Sequence, residues 1–300
     1  MSMVKNNAFA ELHPIVNFTY FAFVLFFGMS IINPVCQGIS LVCAFAFAVR
    51  LSGRRAVMFG LKASLPVMLI AAIVNPAFNH AGVTLLCYFP TGNPLTLESL
   101  LYGLSAGAML GAMLLWLMCL SSVFTSDKFI YLFGKIIPAL SLLLSMTLRF
   151  VPKFRRQLET TAQAQAALGR DVSSGGILQR TRSAITVFSC VVTWALENSI
   201  ETADSMKSRG YGLKGRTAFS IYRFRERDGY ALGFILFCGI TVFCTMLCGG
   251  LSFRYFPSIR GAVITPFTVF AWAAYFLLCA VPVIIDIREE AVWKSLRSEI

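Results

Sequence analysis

Long uncharged apolar runs, separated by short polar clusters, organise this chain. Six of them stand out: Ile15–Ile32, Val35–Val49, Ala63–Phe78, Ser99–Phe124, Tyr230–Gly249 and Ala262–Ile285. A helix of roughly 20 apolar residues crosses a hydrocarbon core of about 30 Å, so these runs predict membrane spans, the second and third being short. The pattern predicts an all-α, multi-pass integral membrane protein with about six transmembrane helices. The first run begins after His13-Pro14, has only Lys5 ahead of it and lacks a small-residue cleavage site, so it is expected to be a retained span.

The middle of the chain follows another rule. Residues 127–228 carry 16 basic and 8 acidic residues, and the apolar stretches Ile136–Leu148 and Ser183–Leu196 are only 13 and 14 residues long. Stretches that short, fenced by charge, predict helices lying along or just below the membrane, apolar on one side and charged on the other. The expected division is therefore 1–126 for spans one to four, 127–228 for an inserted cytoplasmic or interfacial region, and 229–300 for spans five and six with a tail. Punctuation in the insert predicts three helices. One begins near Pro138, a second takes Pro152 into an early turn and ends at Gly169, and a third runs from about Ile177 to Ser208. Ile185, Phe188, Val192, Leu196 and Ile200 form an apolar stripe on the third, beside acidic Glu197, Glu201 and Asp204.

Charge orients the chain. Placing the Arg50–Lys62 segment in the cytoplasm puts every one of the 26 Lys and Arg residues inside except Arg254 and Arg260. Both termini are then cytoplasmic, and the net charge of +12 is a topology signal rather than a nucleic-acid footprint. Nine cysteines fall mostly inside apolar runs with no C-x-x-C, and the only histidines are His13 and His80, so neither a metal site nor a disulfide framework is expected. No cofactor is expected either. The stretch GYGLKGRT, Gly210–Thr217, nearly fits the P-loop spacing, but it follows a helix where a phosphate loop follows a strand. No cluster of acid, base and nucleophile points to an enzyme.

Two helix ends are the candidate chemistry. AQAALGRD at 164–171 and MKSRGYG at 206–212 each place small residues in the last turn, then a basic residue close to a glycine. The helix dipole favours a cation there, which accounts for an isolated case. Two such ends in one segment also suit docking, since small neighbours admit another backbone and a guanidinium can grip a carboxylate at two points. Gly103, Gly107 and Gly111 form a tandem G-x-x-x-G in the fourth span, suited to close helix contact within the chain or with a membrane partner.

In order and spacing, LHP at 12–14, NPAFNHAGVTLL at 75–86, LTLESLLYG at 95–103, LRFVPKFRRQLETTAQAQAALGRD at 148–171, ETADSMKSRGYG at 201–212 and GRTAF at 215–219 carry a resemblance. The chain resembles the transmembrane T component of energy-coupling factor (ECF) transporters, a group of prokaryotic ABC importers for vitamins and transition-metal ions. The resemblance implies a non-catalytic subunit of the prokaryotic cell membrane. It implies as partners a pair of ABC ATPases and a separate substrate-binding membrane subunit. In that family two cytoplasmic coupling helices end in Ala-Arg-Gly-type motifs that enter grooves of the ATPases. Ser208-Arg209-Gly210 matches the second motif with Ser for Ala. At the first, Ala167-Leu168-Gly169 puts Leu168 where the arginine stands, with Arg170 displaced by two. Ile185, Phe188, Val192 and Leu196, together with Gly103, Gly107 and Gly111, are the expected contacts to the substrate-binding subunit. The competing expectation is a stand-alone carrier or channel whose basic cytoplasmic region binds lipid.

Overall fold

A computed structural model of the protein describes residues 7–79, 81–88, 94–134, 138–170, 175–213, 222–261 and 265–298. Nine helices hold nearly all of them: α1 (Pro14–Ser30), α2 (Pro34–Ser52), α3 (Arg54–Phe78), α4 (Leu97–Val123), α5 (Ser126–Gly134), α6 (Pro138–Ala167), α7 (Ile177–Ser208), α8 (Glu226–Leu247) and α9 (Pro266–Ser298). Two short antiparallel pairs join them, β1 (Leu85–Tyr88) with β2 (Pro94–Thr96), and β3 (Phe253–Arg254) with β4 (Arg260–Gly261). The chain is an all-α, multi-pass membrane protein. It divides into two compact units, one made of Met1–Lys128 with Tyr222–Ile300, the other of Phe129–Ile221.

The starts of the helices follow from local chemistry. Pro14 and Pro34 open α1 and α2, where a missing N–H costs nothing, and His13 Nδ1 and Asn33 Oδ1 accept from the backbone N–H groups of Ile15 and Val35. Gly53, at φ 54°, turns the chain from α2 into α3 with no intervening loop. The basic Arg50–Lys62 segment is therefore helical almost throughout, and α3 starts nine residues before the predicted span, passing through a π-helical turn at Gly60–Ser64.

Among the described residues, six helices are long and apolar enough to cross a membrane: α2, α3, α4, α7, α8 and α9. At 17 residues α1, the first predicted span, is slightly shorter. The inclusion of α7 differs from the prediction because the helix continues through Arg180, Arg182 and Glu197, which bound its apolar stretch. The first two helices predicted in the insert are one, α6, with Pro152 in its interior. A proline there costs one backbone hydrogen bond, a loss that a 30-residue helix absorbs without ending.

An aromatic cluster centres the larger unit. Phe9, Tyr20, Phe21, Phe47 and Trp116 are all at most 1% exposed, and the Phe9 ring meets Tyr20 edge-on at 5.0 Å between centroids. Two polar groups in this core are paired: Trp116 Nε1 donates to Ser40 Oγ at 3.0 Å, and Tyr20 donates to the Cys279 carbonyl at 3.1 Å. Gln37 Nε2 donates to the carbonyls of Gly28 and Ile31, which the end of α1 leaves without helical partners. Buried Asp228 accepts from the backbone N–H groups of His13 and Arg225 and so joins the starts of α1 and α8. Lys128 donates to the carbonyls of Ala10 and Val123, capping α4, and burial pushes its ammonium down to about 8. Away from the core, Phe18, Met29, Ile70, Ile73, Phe237 and Ile240 are exposed on the spans, where hydrocarbon is their solvent.

The glycine stripe of α4 serves this unit. A Cβ on Gly107 would lie 2.6 Å from the Met68 carbonyl oxygen, and one on Gly103 3.0 Å from that of Ala72. A Cβ on Gly111 would lie 2.5 Å from Met68 Sδ, and Ser64 Oγ donates to the Gly111 carbonyl at 3.1 Å. All three glycines are buried against α3 of the same chain. Of the two readings left open for Gly103, Gly107 and Gly111, the packing here is the one within the chain, since α3 fills the groove they form.

Candidate functional site

The site is built from the ends of α6 and α7 in the smaller unit. At the end of α6, the Gly169 N–H donates to the Ala166 carbonyl at 2.9 Å and the Arg170 N–H to the Gln165 carbonyl at 3.0 Å. At the end of α7, the Gly210 N–H donates to the Lys207 carbonyl at 3.0 Å and the Tyr211 N–H to the Met206 carbonyl at 3.0 Å. Both are Schellman caps, in which a left-handed residue lets two N–H groups turn back onto the last carbonyls. Gly169 has φ 78° and Gly210 φ 77°, a region in which only glycine is unstrained.

Because the two Schellman bonds are the same at both ends, the caps can be set in register by them. Gly169 corresponds to Gly210, Ala167 to Ser208, Leu168 to Arg209, and Arg170 to Tyr211. The cap position thus holds a leucine at one end and an arginine at the other. Leu168 is 73% exposed, an unusual setting for a large apolar side chain, and Arg209 and Arg170 are exposed as well. Among the described residues Arg209 has no ion-pair partner. Ser208, a small exposed residue next to the arginine, bonds back to its own helix, its Oγ donating to the Ser205 carbonyl at 2.9 Å. A third Schellman cap closes α8, with Gly249 at φ 77° after Cys248, so the backbone shape is common to three ends among the described residues, of which only the α7 end has an arginine at the cap position itself.

Packing between α6 and α7 makes this unit coherent. The Phe154 ring meets Trp194 edge-on at 5.9 Å, and Lys153 Nζ lies 5.3 Å from the Trp194 ring and donates to Asn198 Oδ1 at 2.8 Å. Along α7 the buried positions are Ser183, Val187 and Val191. The predicted stripe is a different face: Ile185, Phe188, Val192 and Leu196 are 63%, 64%, 40% and 61% exposed. Apolar side chains in a continuous exposed line await lipid or protein. Of the near P-loop, Gly210–Leu213 close a helix, while Lys214–Thr217 lie outside the described residues, as does His80.

Comparison with known proteins adds to this geometry. A family model for CbiQ, described as cobalt transport protein, matches residues 11–219. The energy-coupling factor transporter transmembrane protein EcfT of Bacillus selenitireducens is 30% identical over 112 residues, which cover 37% of this chain and 42% of that protein. EcfT of Lactobacillus helveticus is 31% identical over 103 residues, covering 34% and 37% respectively. EcfT 1 of Listeria monocytogenes serotype 1/2a is 26% identical over 184 residues, covering 56% of this chain and 67% of the relative. The matched stretches thus span less than half of the first two relatives and about two thirds of the third. With its family model matched from residue 11 to residue 219, the chain belongs to the CbiQ family of cobalt transport proteins.

Proposed function

We propose that this chain is the energy-coupling transmembrane subunit of an ECF-type importer. It would link a pair of ATPases to a separate substrate-binding membrane subunit for uptake of a vitamin or a transition-metal ion. One observation carries the reading: Arg209 stands exposed on a Schellman-capped helix end, without an ion-pair partner among the described residues. A helix end of that kind offers a rigid guanidinium to an acidic groove, with small Ser208 and Gly210 giving room for the groove's walls. The docking residues are Ser208, Arg209 and Gly210 at one end, and Ala167, Leu168, Gly169 and Arg170 at the other. The register between the two caps supports an asymmetric pair of docks. Arg209 meets a carboxylate, and Leu168 meets an apolar wall with Arg170 at its margin.

The second half of the mechanism uses the outer stripe of α7. Ile185, Phe188, Val192 and Leu196 face the substrate-binding subunit, and movement of the docked ends on ATPase closure tilts that face. Each such side chain contributes about 1.5–3 kcal/mol when buried from water, and less where lipid already covers it. Both termini and the smaller unit are cytoplasmic in this reading, which the distribution of Lys and Arg supports. The chain itself carries out no ATP hydrolysis.

Purification from the native membrane tests the proposal. Two ATPase chains and a small membrane subunit should comigrate with the tagged protein in mild detergent, and uptake should stop when the ATPases are removed. Transport by this chain alone in liposomes would overturn the reading in favour of a stand-alone carrier.

A further inference from the structure

Arg254 and Arg260 are the two basic residues that the topology leaves on the outer side. The structure brings them together. In the β3–β4 pair, Arg254 stands directly opposite Arg260. Side chains so placed are neighbours on one face, and like charges there repel. Neither arginine has an ion-pair partner among the described residues. The hairpin is nevertheless held firmly: Tyr255 is 4% exposed and donates to the Ile32 carbonyl at 3.2 Å, and its ring meets Tyr102 at 5.3 Å. Repulsion between the arginines is therefore built in rather than relieved by a loose loop.

Both arginines line a cavity of about 560 Å³ whose other walls include Ile32, Met246, Leu251 and Ser252. Ile32 follows the end of α1 and Met246 lies in the last turn of α8, so the cavity opens at the level where spans leave the hydrocarbon. One wall is doubly cationic, and the rest is lined by Ile32, Met246 and Leu251 beside the hydroxyl residues Ser30 and Ser252. We infer that this cavity holds the phosphate of an anionic phospholipid headgroup between Arg254 and Arg260, with the glycerol end of the lipid against Ile32, Met246 and Leu251. Two planar guanidiniums suit the oxygens of one phosphate, and a bound anion removes their mutual repulsion. With no carboxylate paired to either arginine, a zwitterionic headgroup gains nothing from its ammonium, so a lipid such as phosphatidylglycerol is preferred. The inference depends on the proposed function only for the leaflet, since the outer side follows from the topology.

A photoreactive phosphatidylglycerol, crosslinked to the whole chain in vesicles and mapped by peptide mass spectrometry, tests it. Labelling within Leu251–Gly261 is expected, falling about fivefold for each arginine removed in Arg254→Gln and Arg260→Gln, from the usual attraction of one basic residue for an anionic surface. The Arg254→Lys/Arg260→Lys variant, which keeps the charge, should retain part of the labelling, and it serves as the readout if the glutamine variants misfold. Equal labelling by a phosphatidylcholine analogue, or labelling unchanged in the double glutamine variant, would overturn the site. Complete displacement of the lipid by millimolar inorganic phosphate would reassign it to the free anion. ATPase comigration should be unchanged in all these variants, so failure here is distinguishable from failure of the coupling role.

Discussion

The ends of α6 and α7 have the same backbone and different chemistry. Each is closed by a glycine near φ 78°, each returns two N–H groups to its last carbonyls, and each exposes its cap side chain. Yet one cap residue is Leu168 and the other Arg209. A helix terminus of this shape is a generic solution to orphan carbonyls, as the third example at Gly249 demonstrates. Shape alone therefore carries no function. The side chain displayed at the cap decides what the end can grip: an acidic groove for Arg209, an apolar one for Leu168.

The comparison can be broken by exchanging that chemistry. Arg209→Ala should nearly abolish uptake while leaving the protein in the membrane, because removing one partner from a buried ion pair costs about 3–5 kcal/mol. Measured uptake within twofold of the parent would refute the docking role. Leu168→Asp comes next. It removes about 1.5–3 kcal/mol of apolar burial and sets a carboxylate against the proposed apolar wall, so ATPase retention should drop well below that of Leu168→Met. If Leu168→Asp retained the ATPases as well as the parent, the α6 end would not be an apolar dock.

Glycine variants sharpen the line between shape and chemistry. Gly210→Ala and Gly249→Ala should each cost about 1–2 kcal/mol of helix-end stability, the penalty for an L-residue in the left-handed region. Uptake should suffer only at Gly210, since the Gly249 end exposes no arginine; equal loss at both would mean that the caps act through stability alone. Arg170→Ala should have a smaller effect, about 0–1 kcal/mol, as for an exposed pair at the edge of an interface. An effect equal to that of Arg209→Ala would show that Arg170 replaces the displaced arginine despite its register with Tyr211.

An effect of another kind, on stability rather than docking, lies in the larger unit, at Lys128. Its ammonium is lowered from 10.5 to about 8 by burial, so between pH 8 and 10.5 the unfolded chain binds more protons than the folded one. Stability then rises with pH across that window as the desolvation penalty of the charge is relieved. The slope of Tm against pH from 8 to 10.5 should be more positive in the parent than in Lys128→Met. Identical slopes would mean that the carbonyls of Ala10 and Val123 hold the ammonium charged throughout.

Local patterns made much of this legible in advance. Charge and apolar runs give the spans, and Gly169 and Gly210 mark the two helix ends, because a left-handed cap needs glycine and leaves that signature in the chain. The bounds of α7 are those expected from Gly176 and Gly210. Pro152 misled, since a proline that can open a helix can also sit inside a long one. The glycine stripe of α4 was open between two readings, as its spacing says that something packs closely without saying what. Ties such as His13 to Asp228 and Phe9 to Asp286 join residues more than 200 positions apart, and no local pattern announces them. Nor does spacing reveal that Arg254 faces Arg260, which depends on the register of a two-residue strand pair.

The central claim is that Arg209, rather than its neighbours, carries ATPase docking. Parallel pull-downs of the ATPases by the tagged parent, Arg209→Glu and Arg170→Glu chains, in the same detergent and at the same salt, test it most directly. The account predicts loss of the ATPases from Arg209→Glu and their retention by Arg170→Glu. Full retention by Arg209→Glu would contradict it.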